Sequence, residues 1–548
     1  MRPVVWRPPV EPSAAERAVL GRVRRAKLFV FLREHRHELF DEGFQAELGG
    51  VYADSPRGRP PVPPAQLALV VLLQAYTGVS DDEAVEACVM DRRWQLVLDC
   101  LDAEAAPFAK GTLVAFRARL IAAELDRRLL ERTVELAGRT GGFGAAGLRA
   151  ALDSSPLWGA GRVEDTYNLM GHALRKALGV IARRAGWGPG AEGARGIAEL
   201  AAQAGAPVLA GSSLKAALDL DWDDPGTGDA AVGVVLAALD AVEAFAADLP
   251  APPGAADLVD AGAEAGVDAL TAALAVARQV RDQDVVSTAA GTPTLREGVA
   301  RDRRISVEDA HMRHGRKTRS VRIDGYKRHV LRDLDTGLIR AVGVTPANAP
   351  EASVTGAVTA DLAAQGAPTL GELHIDRAYL SSTLVRDRGP DLVVFCKAFP
   401  VRAPTGPGGP RFPKTAFVLD FHRGQLTCPN QVVMPLRLGQ VVHFPAPTCA
   451  ACPLRERCTT SASGRSVSIH PDEPLLAELR QSQATPAGRA KLRERVAVEH
   501  SLAHLGQTQG RRARYRGTRK NLFDTRRCAT VHNLHILARQ DRATPAAA

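Results

Sequence analysis

The chain has 548 residues, of which 45% are hydrophobic and 24% charged, an ordinary globular composition that excludes a disordered, collagen-like or coiled-coil protein. Its longest apolar run, residues 230–239, is about half of the roughly 20 residues that a membrane-spanning helix needs, and its N-terminus lacks the apolar core of a signal peptide. At roughly 150 residues per domain, we expect three or four domains of a soluble, cytoplasmic protein with no membrane partner.

The charge is unevenly distributed along the chain. The formal net charge is +9, yet residues 491–548 hold 13 Lys and Arg against four Asp and Glu, whereas residues 201–300 hold four against 15. Separated basic segments are typical of proteins that bind polyanions. Arginine outnumbers lysine 60 to 10, which suits bidentate phosphate contacts, although a GC-rich coding sequence is the simpler explanation of that usage.

Apolar residues recur at spacings of three and four through residues 14–135, which predicts a series of helices. A cluster of prolines at 60–64 marks the start of one helix near Ala65, and Ser80 followed by three acidic residues caps another. A third helix begins around Thr112. Spacing alone does not decide whether these short helices form a helix-turn-helix DNA reader or a packing module.

The pattern changes at residues 147–161, where an apolar run predicts a strand that ends at Asp153. Residues 165–300 are again helical, rich in alanine and acidic, and we interpret them as an insertion. The sequence from Arg319 is typical of β structure and predicts a hairpin about the turn 335–337. A helix near 352–364, a strand that ends at Asp376 and a strand at 391–396 follow. Beyond them lie a Pro- and Gly-rich loop (400–413), a cysteine-bearing β-rich segment and helices from about Glu473.

Two aspartates at strand ends, followed by a helical acid, form an arrangement that can hold two Mg²⁺ ions on a phosphate. Hard cations require carboxylate oxygens, and two ions about 4 Å apart activate the attacking oxygen and stabilise the leaving one. Asp153, Asp376 and Glu499 are the candidates. Because the chain has 61 acidic residues, other triads fit the residue types equally well.

Several segments, taken in order, resemble the DDE transposases of bacterial insertion sequences, whose catalytic domain has an RNase H-like fold. The resemblance runs from about residue 30 to about residue 540. The segments that carry it are GRPPVPPAQLALVVLLQAYTGVSDDEAVE (58–86), GTLVAFRARL (111–120), ALDSS (151–155), RIDGYKRHVLRDLDTGLI (322–339), ELHIDRAYLSS (372–382), RVAVEH (495–500), GRRARYRGTRKN (510–521) and CATVHNLHIL (528–537).

The resemblance implies that Asp153, Asp376 and Glu499 are the catalytic acids and bind two Mg²⁺ or Mn²⁺ ions. Many relatives carry a Tyr-x2-Arg-x3-Glu-x6-Lys signature around the glutamate. Here Arg495 and Glu499 fit it, whereas Leu492 and Gly506 stand in place of the tyrosine and the lysine. Arg511, Arg512 or Arg514 could replace the missing lysine.

Residues 510–520 combine six basic side chains with one tyrosine and no acid, which suits contact with a DNA backbone and stacking on an unpaired base. An exposed basic helix face is the alternative interpretation. The residues expected to contact DNA are Lys327, Arg495, Arg511, Arg512, Arg514, Tyr515, Arg516, Arg519 and Lys520. We interpret His500 and His504, although four residues apart, as surface or packing residues because no third ligand accompanies them.

Four of the eight cysteines form the pattern Cys428-x20-Cys449-x2-Cys452-x5-Cys458. Four thiolates with one Cys-x2-Cys pair suit a tetrahedral structural zinc, and a cytosolic location argues against disulfides. Reduced, metal-free cysteines are the alternative. We interpret the other four as small buried hydrophobic residues: Cys88, Cys100, Cys396 and Cys528.

The predicted fold is α/β: an RNase H-like mixed sheet with a helical N-terminal domain, a helical insertion and a Cys-rich β insertion. The expected segments are a helical DNA-binding or assembly domain (1–140), the first catalytic strand (141–164), the acidic helical insertion (165–300), the catalytic core (301–400), the Cys-rich module (401–472) and the C-terminal helical part with its basic tail (473–548).

The expected function is metal-dependent cleavage and strand transfer of double-stranded DNA, both at inverted-repeat ends and at a target. The resemblance implies a homodimer on DNA. Two alternatives stay open: a nuclease of the same fold without strand transfer, and a non-catalytic DNA-binding protein derived from a transposase. The formation of joined DNA products would distinguish a transposase from the nuclease. Convergence of the three acids within metal-bridging distance would distinguish it from the non-catalytic protein.

Overall fold

The computed structural model describes residues 2–54, 60–139, 147–224, 227–249, 268–366, 369–401, 403, 405–406 and 409–540. The N-terminal region is helical, as predicted. Ser80 caps a helix through a reciprocal pair with Glu83, and Pro64 occupies the first turn of another. The N-terminal helices are α1 (Ala14–Leu20), α2 (Lys27–Leu39), α3 (Glu42–Gly49), α4 (Pro64–Thr77), α5 (Asp81–Met90), α6 (Arg92–Leu98), α7 (Lys110–Ala122) and α8 (Leu125–Arg139).

Six strands of the described chain form one mixed sheet. β1, β7 and β8 are parallel, and β5 joins β1 on its other side as an antiparallel neighbour. The outer edge of β5 pairs first with β4 and then with β6. The strands are β1 (Leu148–Trp158), β4 (Arg313–Arg316), β5 (Arg322–Asp333), β6 (Ile339–Pro346), β7 (Leu370–Ile375) and β8 (Val393–Cys396), with helices α14 (Thr355–Ala364) and α15 (Thr383–Arg386) between them.

β1 is longer than the sequence predicts. Asp153 lies in its middle, because β5 continues to pair with residues 154–158 after β7 has ended. Pro156 is tolerated because this part of β1 is hydrogen-bonded along one side only. The predicted hairpin is confirmed: β5 and β6 flank a turn in which Gly337 takes the left-handed conformation, at φ 79°.

The two faces of the sheet are covered by different parts of the chain. Side chains on one face, including those of Ala151 and Val330, share a hydrophobic core with the N-terminal helices and the last two helices. The other face, which includes Leu152 and Leu331, packs against α14 and the first C-terminal helix. Asp153 is paired with Val330 and therefore projects toward the first face.

The helical insertion has its own core. Its helices and a small β-hairpin are α9 (Thr166–Arg184), α10 (Ala191–Gln203), α11 (Leu214–Ala217), α12 (Thr227–Ala247), α13 (Ala269–Asp284), β2 (Val285–Ser287) and β3 (Pro293–Leu295). Of the described helices, α12 alone is long and apolar enough to cross a membrane. It places Val232, Val235 and Leu239 in the core of the insertion. Core helices of soluble proteins can have the same length and apolar composition.

The cysteine-bearing segment consists of short strands and helices around a separate small core. Its elements are β9 (Thr405–Gly406), β10 (Gly409–Pro410), β11 (Val418–Asp420), β12 (Gln425–Thr427), β13 (Val433–Pro435), β14 (Val441–His443), α16 (Ala446–Ala450), α17 (Arg455–Cys458) and β15 (Ser466–Ser468). Part of the predicted Pro- and Gly-rich loop, and residues 141–146 of the predicted first-strand segment, lie outside the described residues.

The chain ends in helices α18 (Glu473–Ala484), α19 (Pro486–Glu494), α20 (Val496–Gln509) and α21 (Thr518–Gln540). α21 is buried along most of its length, between the sheet and the N-terminal helices. The N-terminal helices thus share one continuous core with the sheet and the C-terminal helices. α4 in particular is almost wholly buried, which makes it a packing helix.

Asn533, in the middle of α21, tests this packing. Its buried amide accepts a hydrogen bond from the backbone N–H of Ile339 (2.8 Å) and donates to the carbonyl of Ile339 and to the hydroxyl of Thr133 (both 2.9 Å). We expect Asn533→Ala to lower the free energy of unfolding by about 2–4 kcal/mol, because it leaves backbone groups buried without partners. Chemical denaturation measures the loss, and the exposed Arg539→Ala on the same helix should change stability by less than about 0.5 kcal/mol.

Candidate functional site

Asp153 and Asp376 stand on neighbouring strands at the same end of a parallel ladder. The ladder between β1 and β7 ends with Leu152 opposite Ile375, so the next residue on each strand is one of the two acids. Asp376 leaves the sheet and begins a single 3₁₀ turn, where its carboxylate accepts a 2.5 Å hydrogen bond from the N–H of Arg377. Asp376 is exposed, whereas Asp153 is largely buried.

Glu499 lies in the first turn of α20 and is joined to Asp153 through an arginine. The guanidinium of Arg495 contacts the carboxylate of Asp153 with Nη1 and donates from Nη2 to Oε1 of Glu499 at 3.0 Å. Glu499 is half exposed. Arg495 therefore occupies the space between a sheet carboxylate and a helix carboxylate.

The environment of Asp153 disfavours its charged form. Burial raises the pKa of Asp153 above its usual value, and the negative charges of Asp376 and Glu499 raise it further. Arg495 and the N–H of Ser154, which donates to Asp153 at 2.8 Å, act in the opposite direction. The negative charges of Asp376 and Glu499 therefore act on Asp153.

A second charged cluster lies on the same sheet face, one step further along the strands, and sequence reasoning missed it. It consists of Glu372, His374 and Glu494, the only group of potential metal ligands among the described residues whose ligand atoms lie within 4.8 Å of one another. Glu372 and His374 alternate with Asp376 on β7, so the two-residue period of a strand could have found them.

Two cations already neutralise this second cluster. Lys491 donates to Glu372 at 3.0 Å, and Arg149 contacts both Glu372 and Glu494. Burial acts to raise the pKa of Glu372, but hydrogen bonds from Lys491, His374 and Arg149 lower it overall. The cluster is therefore an ion-pair network that ties α19 to the sheet, immediately before Arg495 and Glu499.

The basic segment 510–520 is partly used inside the protein. Arg512 donates to the carbonyls of Gly159 and Ala160, and Arg514 donates to that of Gly78 at 3.3 Å. Arg519 forms ion pairs with the buried Asp126, and Arg516 forms one with Glu308. Arg511 and Lys520 are exposed.

Two further residues expected at the DNA also have partners in the protein. The ring of Tyr515 packs at 6.0 Å from that of Phe523, with the guanidinium of Arg117 and that of Arg527 near its face. Lys327 projects from the sheet face opposite to Asp153 and donates to the carbonyl of Ala349 at 3.0 Å. These contacts make Tyr515 and Lys327 part of the protein's own packing.

The predicted zinc ligands line one cavity of the small module. Burial raises the pKa of the Cys458 thiol, and negative charge on the other three sulfurs raises it further. Backbone N–H groups of Val432 and Leu454 donate to the sulfurs of Cys428 and Cys452, both at 3.4 Å. Such donors stabilise thiolates. Among the described residues, however, no three of these sulfur atoms lie within 4.8 Å of one another.

The remaining cysteines and histidines behave largely as the sequence suggests. Cys88, Cys396 and Cys528 are buried, and burial raises the pKa of each thiol to about 12; Cys100 is only partly buried. His500 is exposed. Nδ1 of His504 lies 3.0 Å from Nδ1 of His532, so His504 serves the packing of α20 on α21.

Comparison with protein families gives two matches, at opposite ends of the chain. Residues 25–119 match the family described as Transposase domain (DUF772), and residues 428–538 match the family described as Transposase DDE domain. The second match contains Glu499 and the four clustered cysteines, whereas Asp153 and Asp376 lie between the two matched segments. No curated protein and no solved structure matches the chain.

The raised pKa of Asp153 predicts an unusual effect on stability. The unfolded chain ionises this group at a lower pH than the folded protein does, so its ionisation costs folding free energy at neutral pH. We expect Asp153→Asn to raise the melting temperature at pH 7, and the difference to disappear as the pH falls below the ordinary Asp pKa of 3.8. Calorimetry across this pH range measures both.

Asp302 is the matched control for this prediction. Its hydrogen bond from Arg313 lowers its pKa, so its charge stabilises the folded state at neutral pH and is lost as the pH falls through the folded-state pKa. Asp302→Asn should therefore lower the melting temperature at pH 7. An equal loss in both variants would show that Asp153 is an ordinary structural carboxylate.

Proposed function

We propose that the chain is an insertion-sequence DDE transposase, which its two family matches support, and that it cleaves double-stranded DNA at its element's ends and joins those ends to a target. Asp153, Asp376 and Glu499 are the proposed catalytic acids. The observation that carries this proposal is the placement of Asp153 and Asp376 side by side where β1 and β7 part, with Glu499 joined to Asp153 through Arg495.

The donor set fits hard divalent cations. Mg²⁺ and Mn²⁺ prefer carboxylate oxygens, and the negative charges of Asp376 and Glu499 that act on Asp153 favour a bound cation. We propose that Asp153, Asp376 and Glu499 hold two such ions. When bound, they lower the barrier to attack on the phosphate and stabilise the oxygen that leaves.

The protein's own residues prepare this site. Arg495 neutralises Asp153 and Glu499 and links α20 to the sheet. The network of Arg149, Glu372, Lys491 and Glu494 fixes α19 directly before Arg495. The helix that carries Glu499 is thereby positioned against the strand that carries Asp153.

The order of strands supports an RNase H-like core. From β6 the order is β6, β5, β1, β7 and β8; β5 is antiparallel to both of its neighbours, and β1, β7 and β8 are parallel. In that architecture the acids on β1 and β7 stand at the same sheet end. The insertion α9–α13 and the cysteine module then interrupt the core.

The proposed reaction uses water first and a DNA 3′-hydroxyl second. In each step the attacking oxygen forms a bond to phosphorus, and the bond between phosphorus and the departing 3′-oxygen breaks. In the joining step one phosphodiester bond therefore replaces another. A cytoplasmic homodimer would bring the two ends together. A nuclease on the same fold would yield only the first product, and a non-catalytic DNA-binding protein would yield neither.

The catalytic assignment predicts loss of cleavage with retention of binding. The substrate is a DNA segment that contains the gene together with its flanking DNA. Asp153→Asn, Asp376→Asn and Glu499→Gln should each reduce excision of this segment below detection, because each removes a ligand of the cations. Affinity for DNA should stay within about twofold, since it comes mainly from phosphate contacts elsewhere. Glu297→Gln, an exposed acid in a loop, is the control. If a variant cleaves DNA as well as the wild type does, the residue that it changes is not a catalytic acid.

We also propose that Cys428, Cys449, Cys452 and Cys458 hold a structural Zn²⁺ ion. Four thiols around one cavity and N–H groups that donate to two of the sulfurs support it. The small core beside the cysteines contains only seven buried hydrophobic residues in the described chain, so an ion would add much of the module's stability.

The zinc assignment predicts that Cys452→Ser releases about one equivalent of metal from the purified protein and makes residues 410–470 more sensitive to proteolysis. Cys100→Ser, outside the module, should retain the metal. Elemental analysis and limited proteolysis measure the two effects. Wild-type protein that contains no zinc when prepared without chelators would contradict the assignment.

A further inference from the structure

A basic β-hairpin extends beyond the end of the sheet at which Asp153 and Asp376 stand. β4 and the start of β5 form it, with Arg313 opposite Gly325 and Arg316 opposite Arg322. The turn 317–321 is closed by a 2.9 Å hydrogen bond from the N–H of Lys317 to the carbonyl of Val321. The hairpin is therefore an ordered element, although its tip residues are exposed.

The tip carries positive charge that the protein does not use. Arg316, Lys317 and Arg319 are exposed and have no carboxylate partner among the described residues, and residues 313–323 contain no acid. Arg322 lies 3.3 Å from Asp324 and is thus partly neutralised. This differs from segment 510–520, where most of the arginines have partners in the protein.

The hairpin carries basic side chains on the sheet face of Asp153. Arg322 is eight residues from Val330, the partner of Asp153, and alternation places Arg322 and Arg316 on the sheet face of Asp153. Eight residues of extended strand span about 26 Å at roughly 3.3 Å per residue. DNA advances about 3.4 Å per base pair, so this distance corresponds to about eight base pairs.

A second basic segment lies at the base of the same hairpin. The backbone N–H of Trp158 donates to the carbonyl of Arg511 at 2.9 Å, and the N–H of Ala513 donates to the carbonyl of Trp158. Trp158 is itself the partner of Gly325 in β5. The exposed Arg511 therefore continues the charged surface of the hairpin.

We propose that the tip of the β4–β5 hairpin, together with Arg511, binds the phosphate backbone of duplex DNA about eight base pairs from the cleaved phosphate. The inference rests on the proposed function. Its contacts are with phosphates, so they position the duplex without reading its sequence. The simpler explanation is that the basic residues only protect an edge strand from pairing with another chain.

The salt dependence of DNA binding separates the two explanations. Lys317→Gln with Arg319→Gln removes two tip charges and no hydrogen bond made by either side chain among the described contacts. If both contact phosphates, the slope of log affinity against log salt becomes less steep by about 1.8, at roughly 0.9 per phosphate. Edge protection predicts an unchanged slope, and that result would overturn the proposal.

The control removes equal charge elsewhere. Arg183→Gln with Arg195→Gln changes two exposed arginines of the helical insertion, and its slope should equal that of the wild type. If the slope of this control variant becomes less steep by the same amount, net charge alone sets the slope, and this result also overturns the assignment. Wild-type protein that neither binds nor cleaves DNA would instead refute the proposed function.

The position of the contact is tested with neutral phosphates. Single methylphosphonates placed along an end-containing duplex should weaken wild-type binding when they lie about six to ten base pairs from the cleavage point. They should have no further effect on the Lys317→Gln, Arg319→Gln variant. If methylphosphonates weaken binding by the variant as much as binding by the wild type, Lys317 and Arg319 do not contact the DNA. This conclusion holds even where the wild type cleaves DNA normally.

Discussion

The fold depends on the burial of α21, a helix whose composition is not that of an ordinary core helix. Asp524, Arg526, Arg527 and Asn533 are all buried within it. A buried charge or amide is costly unless it has partners. Arg527 pairs with Asp524 within the helix, whereas the partners of Arg526 and Asn533 come from distant parts of the chain. Arg526 binds Asp126 of α8 and Asp361 of α14, at 3.2 Å and 3.1 Å, while Asn533 binds the backbone of β6.

This requirement explains why the N-terminal helices share a core with the sheet and the C-terminal helices. α8 supplies Asp126 and Thr133 to α21, and α4 packs its apolar surface against the same helix. α21 in turn supports α20, which is also attached to the sheet by Arg332, whose guanidinium donates to the carbonyl of Ala497 and to the hydroxyl of Ser501. The position of Glu499 therefore depends on contacts that extend from residue 126 to residue 533.

Arginine has two roles in this protein, and they are separated in space. In the interior it compensates buried acids and carbonyls, as Arg328 does when it joins Ser155 of β1 to Gln509 and Gly510 at the end of α20. At the tip of the β4–β5 hairpin Arg316, Lys317 and Arg319 have no carboxylate partner among the described residues. Arg495 stands between these roles, because it neutralises two of the proposed cation ligands.

The sequence by itself determined the local elements and supplied the candidate acids. Capping by Ser80, the turn at Gly337 and the strand that ends before Asp376 follow from short-range rules of geometry and hydrogen bonding. Only the tertiary structure decided that Asp153 lies in mid-strand, that Arg495 separates it from Glu499, and that Tyr515 and Arg519 pack inside the protein. Those outcomes depend on register and on partners more than 100 residues away, such as Asp126 for Arg519, and no local pattern of charge or spacing encodes them.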